Sequence, residues 1–148
     1  SQNKIKNVRL FRSALWKNNQ DILELGTNLS GNTSLTCLRN SGYTTFYEVN
    51  TMTIDQLELT RCNLIKIDVE KAEWEVLDGA SETIRKCKPI IFFETFKTKK
   101  NLTLLFSWCI KNGYTSRYLK NDDYLLTPIK CAKLCSKKKL PKTLKIID

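Results

Sequence analysis

Residues 63–94 read NLIKIDVEKAEWEVLDGASETIRKCKPIIFFE, and their reading decides the fold. Leu64, Ile65, Ile67 and Val69 make a short apolar run, interrupted by Lys66 and Asp68, as a strand would. Ala72, Val76, Ala80 and Ile84 then recur at helical spacing, while Glu73, Glu75, Asp78 and Glu82 stay polar. Gly79 is expected to kink or stop this helix midway, and Pro89 to end it. Ile90, Ile91, Phe92 and Phe93 follow without a polar break and close on Glu94, a pattern suited to a strand buried on both faces. A strand, a helix and a second strand of this kind make a right-handed crossover with parallel strands. Asp68 and Glu70 end the first strand and Glu94 ends the second. All three acids are therefore expected at one edge, outside the carboxyl ends of the strands, where open α/β sheets bind ligands. Asp68 is costly to bury between Ile67 and Val69 without a partner. Glu70 and Glu73 read equally well as caps of the following helix.

Leu64 to Ala80 (LIKIDVEKAEWEVLDGA), followed by Lys88 to Glu94 (KPIIFFE), closely resembles the core of the FkbM-type methyltransferases. Thr51 to Leu57 (TMTIDQL) is similar to that family's approach to the same strand, with Ile54 where Leu is more usual. The resemblance covers roughly Val8 to Tyr118 and corresponds to the latter half of the family's domain. It implies a class I methyltransferase, Rossmann-like and doubly wound. Here that α/β fold would be partial: a mostly parallel sheet with a C-terminal antiparallel hairpin, lacking the N-terminal cofactor-binding strands. It also implies S-adenosylmethionine as cofactor and O-methylation of a small-molecule or glycan hydroxyl as the reaction. Val8 to Phe11 would be the family's third strand, with Ser13 and Ala14 at its exit nearest the adenine of the cofactor.

Two departures from the family pattern stand out. The acid run there continues Gly-Ala-Glu, whereas Lys71 occupies the glycine position here. Glycine lets the backbone turn and a ligand approach closely; lysine adds bulk and a charge unfavourable to a sulfonium. The five glycines, at 26, 31, 42, 79 and 113, also form no cluster that would cradle the cofactor. Weak or no cofactor binding is expected from this chain alone, as from a truncated domain.

Methyl transfer to a hydroxyl needs a group that orients the acceptor or takes its proton. With no histidine in the chain, Asp68, Glu70 and Glu94 are the candidate catalytic residues, and Asp68 doubles as a cofactor-side carboxylate. A cation between the acids is conceivable, but nothing demands one, and no metal ligand set is assigned. Half of an open sheet leaves an unpaired strand edge, so self-association through that edge is expected.

The 148 residues suffice for one domain with a core, placed at 1–128, and leave 129–148 as a basic, loosely ordered tail. No apolar run approaches a membrane span, and no signal-peptide pattern opens the chain. The chain begins on Ser1, from which an upstream continuation is expected. Charge is uneven: residues 1–83 carry 9 basic and 11 acidic side chains, residues 84–148 carry 16 and 4. The basic half suggests the alternative of a degenerate, non-catalytic domain binding an anionic partner. Lysine-rich coding would produce the same asymmetry. Nucleic acid is not the expected partner, because the aromatics are not interleaved with the basic residues in any recognisable motif. Six cysteines without a tight framework point to reduced thiols and a cytoplasmic protein.

Along the remainder, Asp21 to Leu25 and Tyr43 to Val49 read as a small antiparallel pair of strands. Thr53 and Gln56 have capping-box spacing for a short helix. Leu102, Leu105, Phe106, Cys109 and Ile110 mark an amphipathic helix stopped at Gly113. Tyr114 to Leu119 and Tyr124 to Thr127 read as a hairpin around Asn121, Asp122 and Asp123.

Overall fold

The computed structural model describes residues 7–19, 21–27, 37–38, 45–69 and 71–129. Their strands form two four-stranded sheets, in spatial orders β1-β4-β2-β3 and β5-β6-β8-β7. The first contains β1 (Ala14–Leu15), β2 (Ile22–Thr27), β3 (Cys37–Leu38) and β4 (Thr45–Met52). The second contains β5 (Leu64–Ile67), β6 (Ile90–Glu94), β7 (Tyr114–Tyr118) and β8 (Asp123–Pro128). Helices α1 (Glu73–Asp78) and α2 (Ser81–Cys87) join β5 to β6, and α3 (Lys99–Asn112) joins β6 to β7.

The crossover forms as its apolar spacing predicts: β5 and β6 are parallel, with Ile67 opposite Phe93. Gly79 divides the helix, as expected, but for a second reason as well. A Cβ there would lie 2.0 Å from the Trp16 carbonyl oxygen, so only glycine lets the segment after β1 pass. Asp55, in a one-turn 3-10 helix (Asp55–Leu57), then starts α2 from a distance. Its carboxylate accepts from the backbone N–H of Glu82 (2.9 Å) and of Thr83 (2.7 Å), two donors that the helix itself leaves unpaired. The capping-box pair is present too: Gln56 N–H donates to Thr53 Oγ1 (3.1 Å) and Thr53 N–H to Gln56 Oε1 (2.8 Å).

Three expectations are corrected. In strand direction the second sheet is mostly parallel, as expected, with β5, β6 and β7 running one way and β8 of the C-terminal hairpin against them; the ladders are where the expectation fails. Only β1–β4 and β5–β6 pair in parallel, while β2–β3, β2–β4, β6–β8 and β7–β8 are antiparallel. The cause is connection length: the short turn between β7 and β8 forces reversal, and β8 inserts between β6 and β7. Second, Val8 to Phe11 is not a strand; Leu10 is 91% exposed, and the strand comes later, at Ala14–Leu15. Third, among the described residues the helices cover β6 on one face only. Ile65, Ile67, Ile91, Phe93, Tyr124 and Leu126 pack under Val76, Leu77, Ala80 and Ile84 of the crossover and under Leu105 and Cys109 of α3. The opposite face holds Leu64, 60% exposed, and Ile90, 36% exposed. Both helices lie on one side, as follows when β5, β6 and β7 advance in one direction across the sheet and parallel crossovers keep their usual right hand. The proposed tail, apart from Ile129, lies outside the described residues.

Candidate functional site

The site grows from the register. Ile67 pairs with Phe93, so the next residue on each strand, Asp68 and Glu94, lies at the carboxyl edge of the parallel pair. β8 enters antiparallel and sets Asp123 opposite Glu94. Three carboxylates thus form a row along the rim. Lys66, one pleat back on β5, makes an ion pair with Asp68. That hydrogen bond, then one shared with Glu94, holds the Asp68 carboxyl below the usual aspartate range. Lys66 is correspondingly raised, first by Asp68 and further by the charges of Asp123 and Glu94.

The hairpin tip closes the rim from the far side. Asn121 (φ 49°) and Asp122 (φ 64°) take left-handed conformations, and Asp123 N–H donates to Lys120 O (2.9 Å) across the turn. The Asp122 carbonyl accepts from Thr95 N–H (2.9 Å) and its carboxylate from Lys97 N–H (3.1 Å). The loop leaving β6 is thereby clamped to the hairpin. Lys97 also lies over the Tyr118 ring, 5.2 Å from its centre. Glu73, Glu94, Thr95, Phe96 and Asp122 line a small cleft here, about 20 Å³, which is the room of one water. A wider hollow of about 430 Å³ lies away from the rim, beside Asp55 and α2, where the carboxylate is already committed to helix amides.

Lys71 takes φ 72°, in the left-handed region that favours glycine, and its N–H donates to Glu73 Oε1 (3.0 Å). The backbone at this point keeps a glycine's shape with a lysine in place.

Of the residues expected at the site, Asp68 and Glu94 come together. Glu70 lies outside the described residues. Ser13 and Ala14 lie in the other sheet's edge region: Ala14 pairs with Thr51, and Trp16 N–H donates to Met52 O (2.9 Å) as the chain leaves β1. Asp122 and Asp123, which the sequence marks only as turn residues, are added to the rim by the structure. The alternation of β8 was the available signal for Asp123, once its register against β6 is known.

A model of the methyltransferase FkbM domain matches residues 15–116. The chain belongs to the FkbM methyltransferase family. Neither a curated protein nor a solved structure matches it. The match takes in Asp68, Glu70, Lys71 and Glu94, and stops short of Ser13 and Ala14 on one side and of Asp122 and Asp123 on the other. FkbM membership makes this a methyltransferase-type domain and implies S-adenosylmethionine chemistry in general.

The described residues of this FkbM domain do not by themselves fit the cofactor. Gly26 is buried within β2, Gly79 is packed against Trp16, and Gly113 terminates α3 in a left-handed cap. None of these three is placed to cradle a nucleoside, and the rim cleft is far smaller than a cofactor pocket of about 300 Å³ or more. Among the described residues no three His, Cys, Asp or Glu side chains are grouped to hold a metal ion.

Proposed function

We propose that this FkbM-family chain carries the acceptor side of an S-adenosylmethionine-dependent O-methyltransferase acting on a small-molecule or sugar hydroxyl. One observation supports it above the rest: the in-register parallel pairing that sets Asp68 and Glu94 at one rim. Asp68, held below the usual carboxylate range, is a poor proton acceptor near neutral pH. Its role in this reading is to accept a hydrogen bond from the acceptor hydroxyl and aim the oxygen, with Glu94 beside it and Glu70 as the third acid. Ser13 and Ala14 keep the adenine side and Asp68 the cofactor-side carboxylate. The domain spans 1–128 with 129–148 as an appended tail, and the free thiols of Cys62, Cys87 and Cys109 accord with a cytoplasmic location. Among the described residues no strand lies beside the outer edge of β5, which leaves it available for self-association; a monodisperse monomer in light scattering would count against that part.

A second reading is favoured by Lys71. A lysine held at φ 72° where the family has glycine fits a non-catalytic domain that binds an anionic partner through its basic half. Calorimetry with S-adenosylmethionine separates the two. The enzyme reading expects weak binding that strengthens in Lys71→Gly and falls in Asp68→Asn. No heat from either the native chain or Lys71→Gly at high cofactor concentration would sink it and leave the second.

A further inference from the structure

Helix α3 is fastened to the sheet by Leu105 and Cys109, both buried, and by Trp108, whose ring lies 5.3 Å from that of Tyr114. Its other side is not simply polar. Leu104 and Phe106 are each 44% exposed and Ile110 is 81% exposed. At about 100° per residue, Phe106 and Ile110 lie together with Lys99 on one flank of the solvent half, Leu104 with Lys100 and Lys111 on the other, and Thr103 and Ser107 between them. The helix contains no acidic residue.

We propose that this face of α3 docks on an anionic lipid surface. Apolar side chains this exposed gain free energy only by leaving water. Lysines set among them rule out an ordinary protein core as their destination, yet suit a headgroup layer, where long basic side chains extend to phosphates while the apolar ones dip below. A second copy meeting this face about a two-fold axis would stack lysine on lysine. A nucleic-acid backbone would satisfy the lysines but leave Ile110 and Leu104 in water. Charge points the same way: residues 84–148 carry 16 basic and 4 acidic side chains. At 14 residues α3 is too short to cross a bilayer and would lie flat on it. The inference does not depend on whether the rim transfers methyl groups.

Co-sedimentation of the full chain with phosphatidylserine-containing vesicles, against vesicles of phosphatidylcholine alone, tests it. Binding is expected only to the anionic vesicles and should weaken with salt. Ile110→Ser should reduce affinity about tenfold and Lys100→Gln about fivefold. Both sites are exposed, and unchanged circular dichroism would confirm an intact fold. Equal partition to both vesicle types would overturn the proposal. So would binding that falls with salt yet ignores Ile110→Ser, which is adsorption through lysines alone. Preference for a short RNA in direct competition would overturn it as well.

Discussion

The two sheets are hydrogen-bonded with equal regularity and buried very unequally. β2 and β4 pair over six consecutive positions, from Ile22 opposite Asn50 to Thr27 opposite Thr45. Yet Ile22 is 61% exposed and Tyr47 57%, and the anchor at the end of this ladder is polar. Thr51 N–H donates to Asp21 O (3.0 Å), and Asp21 N–H donates back to Thr51 Oγ1 (3.1 Å). In the second sheet, shorter ladders carry Ile91, Phe93 and Leu126 at full burial. A ladder exchanges water hydrogen bonds for internal ones and gains little net; removal of apolar surface from water does the stabilising. Among the described residues, therefore, the second sheet supplies most of the stabilising burial and the first contributes mainly its ladder.

That contrast is open to direct attack. Phe93→Ala removes a fully buried ring that meets Trp74 edge-on at 5.0 Å and should lower stability by about 4 kcal/mol. Tyr47→Ala in the first sheet should change it by less than about 0.5 kcal/mol. Comparable losses in urea unfolding would break the distinction. Gly79→Ala probes the seam between the regions, because the added carbon meets the Trp16 backbone at 2.0 Å. About 3 kcal/mol should be lost, and a thermal midpoint unchanged from the native chain would show that β1 is not pressed against the helix junction.

Asp55→Ala should cost about 1 kcal/mol by uncapping α2, with faster amide exchange at Glu82 and Thr83. Uniform exchange across α2 in both proteins would argue against this cap. The smallest effect lies at the rim. Asp68 titrates low because its ionised form is paired, so the pairing contributes above the ordinary aspartate value of about 3.9 and fades as pH falls through the lower folded value. With side chains 59% and 46% exposed, the Lys66–Asp68 pair is screened by solvent. The effect should therefore appear in the Asp68 carboxyl chemical shift and not in global stability. Lys66→Gln should raise that midpoint more than Glu94→Gln. The reverse order would make the neighbouring acid the dominant partner.

Much of the second sheet was legible because its signals are local. The 3.6-residue recurrence from Ala72 to Ile84, the break at Gly79, the run ending at Glu94 and the glycine stop after α3 each act within a few residues of themselves. The match of the FkbM domain over residues 15–116 agrees with the family that these residues suggested. Of the candidate site, the meeting of Asp68 and Glu94 was legible because a parallel crossover leaves the ends of both strands at one rim.

What lay beyond reach depended on partners distant in the chain. Four apolar residues in a row at 90–93 suggest burial on both faces, and nothing in them reveals that α2 and α3 settle on the same side. Asp55 gives no sign that its oxygens serve amides 27 and 28 residues away. Nor do Asp122 and Asp123 show which strand they will border. By itself the amino-acid order determined the elements from β5 to β8, the crossover and the family, since these follow from local spacing and short connections. Only the tertiary structure decided which face stayed open, why position 79 admits no side chain and that Asp122 and Asp123 join Asp68 and Glu94 at the rim. Those outcomes hang on register and on close approach of segments far apart in the chain, and pairwise contact of that kind has no local signature.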